Sequence, residues 1–158
     1  MQAYLKIIRA INTFFSTGFY SGFFPYAPGT IGSLVALLFF LIPGFSNINV
    51  LLPVIVITFI VGIPLGNYFE KIYGVDPKQF TLDEFVGTWI TFLFVPMELP
   101  YIIVGFIIWR ILDITKPFPA DRFEKLKGGW GIMMDDVVSG MYSLLFIHIF
   151  ISLFIYEI

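Results

Sequence analysis

The sequence contains no cysteine and only one histidine. The first absence excludes disulfides and thiolate chemistry without fixing a compartment. Charge is scarce too: 13% of the 158 residues are charged, against about 25% in an ordinary soluble domain. None lies between Ala10 and Phe69 or between Val137 and Tyr156, and Glu98 stands alone between Phe85 and Trp109. A water-soluble domain is therefore a poor reading. The net charge of −2 says little about partners, and nucleic acid is not expected among them.

What remains is oil. Hydrophobic residues make up 58% of the chain and the mean hydropathy is +0.91. The length suits one domain, 1–158, and no internal repeat is evident. Five apolar segments can be drawn: Ile31–Ile42, Val50–Gly66, Glu84–Val95, Tyr101–Leu112 and Val137–Ile155. Pro43-Gly44 and the stretch Pro96–Pro100 break the chain between neighbours. Only the second and fifth approach the roughly 20 residues that cross a bilayer core. The expected fold is all-α, a polytopic bundle of about five spans. The first apolar run lies too far from the N-terminus for a signal peptide, so no processing is expected.

Lysine and arginine set the orientation, because they favour the cytoplasmic side. With five spans, all nine fall at one face: the N-terminal segment, the 67–85 loop and the region around the 113–136 loop. A single helix from Phe85 to Leu112 would divide them and bury Pro96, Glu98 and Pro100. The N-terminus is then inside and the C-terminus outside. Leu5, Ile8, Ile11 and Phe15 share one helical stripe, as in a helix lying in the membrane interface.

This topology gathers distant stretches at the cytoplasmic face: "PYAPGTIGS", "TLDEFVG", "RILDITKP" and "GGWGIMMDDVVSG". Half of the chain's 20 charged residues lie between Arg110 and Asp136. Carboxylates about 4 Å apart repel by roughly 4 kcal/mol at an effective dielectric near 20, so such a cluster calls for a cation or for raised pKa values. Mg²⁺ suits it, being oxygen-seeking and commonly bridged from carboxylates to phosphate. Blander readings exist for each group. Asp83-Glu84 and Asp135-Asp136 read as acids beginning helices, and Arg110 with Asp113 as a plain helical ion pair. Lys116 reads as an interface anchor, Gly128-Gly129 as a turn, and His148 as a packed mid-span side chain.

Together the four stretches resemble the phosphatidylglycerophosphatase A family. The matching residues are Pro28-Gly29-Thr30 with Gly32-Ser33; Asp83-Glu84 with Gly87; Arg110, Asp113, Lys116, Pro117 and Pro119; and Gly128, Gly129, Gly131-Ile132-Met133, Asp135-Asp136 and Gly140. Ser139, where alanine is common, is a mild departure. The resemblance implies a Mg²⁺-dependent phosphatase of the bacterial inner membrane that turns phosphatidylglycerophosphate into phosphatidylglycerol and phosphate. On that reading Asp83, Glu84, Asp113, Asp135 and Asp136 are the candidate metal ligands. Lys116 contacts the substrate phosphate, and Arg110 orients Asp113 or touches a phosphate oxygen. Thr30 and the glycines, Gly128 and Gly129 among them, are expected at the phosphate. A small ion or proton transporter with an acidic cytoplasmic cluster is the alternative.

Overall fold

Pro28 and the stretches Pro43-Gly44 and Pro96–Pro100 fall at helix boundaries, although Pro53 and Pro64 lie inside a helix. The computed structural model describes residues 2–155 and forms seven α-helices among them, with no strand. These are α1 (Gln2–Ser16), α2 (Pro28–Phe40), α3 (Ile48–Tyr73), α4 (Leu82–Thr91), α5 (Leu99–Thr115), α6 (Ala120–Phe123) and α7 (Gly129–Ile155). Pro28 opens α2, where a missing N–H costs nothing. The chain breaks between Thr91 and Leu99, with Phe94 in the left-handed region (φ 61°). The expected separation of α4 from α5 therefore holds, and no single helix runs through Pro96 and Pro100.

Two helices are long and apolar enough to cross a membrane: α3, with 26 residues, and α7 from Gly129 to Leu153. At about 1.5 Å per residue each exceeds the roughly 30 Å of a hydrocarbon core. α2 is a shorter apolar helix. α4 has 10 residues, and every one except Asp83 is buried. Its apolar sequence is satisfied by protein, because α2, α3, α5 and α7 all pack around it. One difference from expectation bears on the site: α7 begins at Gly129, eight residues before the expected span. Asp135 and Asp136 thus lie inside a helix and cap nothing at its start.

Close packing around α4 depends on Gly87. A Cβ there would overlap the indole of Trp109, which is fully buried on α5, and Gly87 itself meets Gly140 of α7. Outside this core the apolar residues face outward, among them Ile57 and Ile60 on α3, Ile103 and Ile107 on α5, and Leu145 and Ile149 on α7. Tyr4, Leu5, Ile7 and Ile11 leave α1 similarly uncovered. Replacing Gly87 with valine should cost about 1–3 kcal/mol of stability through overpacking. Gly87→Ala should cost less, and melting in detergent micelles reads both.

Candidate active site

Four helices meet around a cleft of about 360 Å³. α2 contributes Gly29, α4 contributes Asp83 and Glu84, α5 contributes Arg110 and Asp113, and α7 contributes Asp135 and Asp136, with Lys116 just past α5. At its centre Glu84, Asp113 and Asp136 bring one carboxylate oxygen each to within 4.8 Å of one another. All three are buried. Oδ2 of Asp136 is fully buried and has no hydrogen-bond partner. Three convergent carboxylates, one oxygen wholly unsatisfied, form a donor set that can hold a hard divalent cation.

Arg110 organises two members of this trio. Its Nη1 donates to Glu84 Oε2, lies 3.0 Å from Asp113 Oδ2, and donates to the Ser33 hydroxyl at 2.9 Å. Ser33 in turn donates to Glu84 Oε2 at 2.7 Å and accepts from Trp109 Nε1 at 3.1 Å. Gly29, one helical turn before Ser33, lets α2 approach so closely that a Cβ would run into the Glu84 carboxylate.

Lys116 is held differently. It follows α5 in the left-handed region (φ 42°), and its Nζ donates to Asp135 Oδ2 at 2.6 Å and Glu124 Oε1 at 3.0 Å. Burial alone would lower the ammonium pKa; the Asp135 charge and hydrogen bond, with Glu124, outweigh it, so the pKa is raised and the group stays charged. Asp135 Oδ1 accepts the Asp136 amide at 3.0 Å, and Asp83 Oδ1 accepts the Glu84 amide at 2.8 Å. Asp83 has no cation partner among the described residues. Ala27 and Asp76 share the left-handed geometry of Lys116 (φ 47° each), and all three immediately precede prolines; Pro28, Asp76, Pro77 and Lys116 line the cleft.

The structure thus brings Asp83, Glu84, Arg110, Asp113, Lys116, Asp135 and Asp136 to one cleft. Thr30, Gly128 and Gly129 do not line it. The Gly129 amide is taken by Asn67 Oδ1 at 2.9 Å, and Gly129 packs against the Ile63 carbonyl of α3. Gly29, one of the glycines beside Thr30 expected at the phosphate, does line the cleft, whereas sequence reasoning missed Ser33, Trp109, Asp76 and Lys78 as site residues. Ser33 and Gly29 lay inside a quoted motif, and their four-residue spacing placed them on one helical face.

An all-helical frame presenting clustered acids, with an arginine and a lysine, to an open cleft is the equipment of an enzyme that hydrolyses phosphate esters, where positioning and charge do most of the work. A family model described as phosphatidylglycerophosphatase A matches residues 14–151, and the chain belongs to that family. It is a phosphatase of phospholipid metabolism. It is 38% identical over 131 residues to phosphatidylglycerophosphatase A of Escherichia coli, covering 81% of this chain and 76% of the relative. The Haemophilus influenzae protein of the same name is 35% identical over 147 residues, 89% of this chain and 90% of the relative. A Bacteroides thetaiotaomicron protein, provisionally named a phosphatidylinositol-3-phosphatase, is 41% identical over 141 residues, 84% of this chain and 89% of the relative. No solved structure matches the chain.

Ser33→Ala removes a hydroxyl shared by Glu84, Arg110 and Trp109. Hydrogen bonds to charged groups are worth about 1.5–3 kcal/mol. Phosphate release should fall roughly ten- to hundredfold, with the melting midpoint displaced by only a few degrees.

Proposed function

We propose that the chain forms one membrane-embedded domain, 1–158, that hydrolyses the terminal phosphate of phosphatidylglycerophosphate to phosphatidylglycerol and inorganic phosphate. The observation that carries this reading is the meeting of Glu84, Asp113 and Asp136 within 4.8 Å in a chain of this family. Two of the relatives are named for the same lipid.

Glu84, Asp113 and Asp136 would hold Mg²⁺, with Asp83 and Asp135 completing the acidic set directly or through water. The donors fit: all are oxygens, and the orphaned Asp136 Oδ2 is an atom that needs a partner. Bound there, Mg²⁺ would offset the negative charge of the acids and the phosphate together. The chain's own residues do the rest. Arg110 keeps Glu84 and Asp113 turned toward each other. Lys116 anchors Asp135 and presents positive charge to the phosphate. Asp83, which forms no ion pair with a lysine or arginine among the described residues, accepts the proton of the attacking water. The water oxygen bonds to phosphorus, the bond from phosphorus to the glycerol oxygen breaks, and that oxygen takes a proton from solvent at the cleft mouth.

The membrane arrangement follows from the same face. α2, α3, α4 with the segment 92–95, α5 and α7 make five spans, α1 lies in the interface, and the acidic end faces the cytoplasm of a bacterial cell. Outward-facing apolar residues on α1, α3, α5 and α7 support it, as does the basic character of the acidic end, from Lys71 and Lys78 to Lys127. A short α4 would leave the acids recessed near the lipid phosphates. The transporter reading is not favoured: it calls for acids along a path through the midplane, whereas the acids meet at the cleft. Against it too, the sequence offers only Glu98 and Glu157 to the outer half, and Glu157 lies outside the described residues.

Phosphate release from phosphatidylglycerophosphate in mixed micelles should stop with EDTA and return with Mg²⁺. Asp136→Asn should lower it at least about a hundredfold without loss of the folded protein, and wild-type rates in this variant would refute the metal trio. An acid quench during turnover of ³²P-labelled substrate should leave no label on the protein, since water attacks directly; a retained label would make Asp83 or a neighbour the nucleophile. In a chain lacking native cysteine, single cysteines at Asn47 and Met97 should react from outside and one at Lys125 from the cytoplasm. Equal cytoplasmic reactivity at 47 and 125 would overturn the five-span arrangement.

A further inference from the structure

Three cations line the cleft: Lys78, Arg110 and Lys116. Arg110 is committed to Glu84 and Asp113, and Lys116 to Asp135 and Glu124. Lys78 has no ion-pair partner among the described residues. Its backbone is nevertheless firmly held. The Phe80 amide closes a turn onto the Pro77 carbonyl at 2.8 Å, and Pro77 and Phe80 on either side are buried. The Thr81 amide bonds the Ser16 carbonyl at 3.0 Å, and Gly22 presses so closely on Gln79 that a Cβ would overlap its carbonyl. An exposed, unpaired ammonium is thus presented to the cleft by a turn clamped from behind.

An unpaired cation on a fixed turn beside an acid-lined cleft suits an anionic oxygen of the substrate that lies outside the acidic centre. Phosphatidylglycerophosphate carries two phosphates: the terminal monoester that is removed, and the diester that links the headgroup to the lipid and remains in the product. Resting on the function proposed above, we propose that Lys78 binds the diester phosphate and so selects for a headgroup bearing a second phosphate. It is a specificity residue and touches neither the reacting phosphorus nor the attacking water.

Product inhibition separates the two phosphates, because phosphatidylglycerol keeps only the diester and inorganic phosphate resembles only the monoester. In mixed micelles Lys78→Gln should raise KM for phosphatidylglycerophosphate and the inhibition constant of phosphatidylglycerol by about fivefold each, as loss of a single exposed ion pair would. It should leave kcat and the inhibition constant of inorganic phosphate unchanged, and Lys78→Arg should restore most of the affinity. Equal weakening of both inhibitors, a fall in kcat alone, or no change at all would each overturn the assignment. Failure of the underlying function looks different: wild-type protein would release no phosphate from this lipid, and both proposals would fall together.

Discussion

The chain must hold three buried carboxylates against one another with one arginine bonded to two of them. Each like-charged pair at about 4 Å is opposed by roughly 4 kcal/mol at an effective dielectric near 20. Arg110, paired with Glu84 and Asp113, offsets part of that repulsion, and the packing of the helices holds the three side chains together. Glu84, Asp113 and Asp136 sit on α4, α5 and α7, and these helices lock together where Gly87 meets Trp109 and Gly140. Arg110 then completes a network with Ser33 and Trp109 that leaves α2 little freedom.

Much of this was legible in the order of residues. Proline marked the break between α4 and α5, and the four motif stretches, three of them charged, that lie far apart along the chain do share one cleft. The start of α7 was hidden, because Gly128-Gly129 read as a turn and glycine is a poor helix former. In the structure Gly128 takes a positive φ of 66°, while Gly129 and Gly131 are there for close approach to the Ile63 and Leu126 carbonyls. Tertiary contact, not local preference, made them helical. The pairing of Lys116 with Asp135 also left no local trace, since the two meet only when α5 and α7 pack side by side. Ser33 was visible as part of a motif, but its threefold partnership was not.

The distribution of apolar surface is equally instructive. α4 and α7 are both rich in hydrophobic residues, yet α4 is almost wholly enclosed while α7 leaves Met141, Leu145 and Ile149 uncovered. Hydropathy averaged along a segment does not distinguish these fates. Length does: a ten-residue helix spans about 15 Å, short enough to be ringed by longer neighbours.

Ala27, Asp76 and Lys116, the left-handed residues ahead of Pro28, Pro77 and Pro117, place backbone strain at or next to residues that line the cleft. A non-glycine residue in that region costs of order 1–3 kcal/mol and persists only where its surroundings insist on it. Solvent or detergent that loosens the helix ends would let these joints spring toward ordinary torsions while α3 and α7 remained intact. The molecule would then fall silent well before it lost its helices.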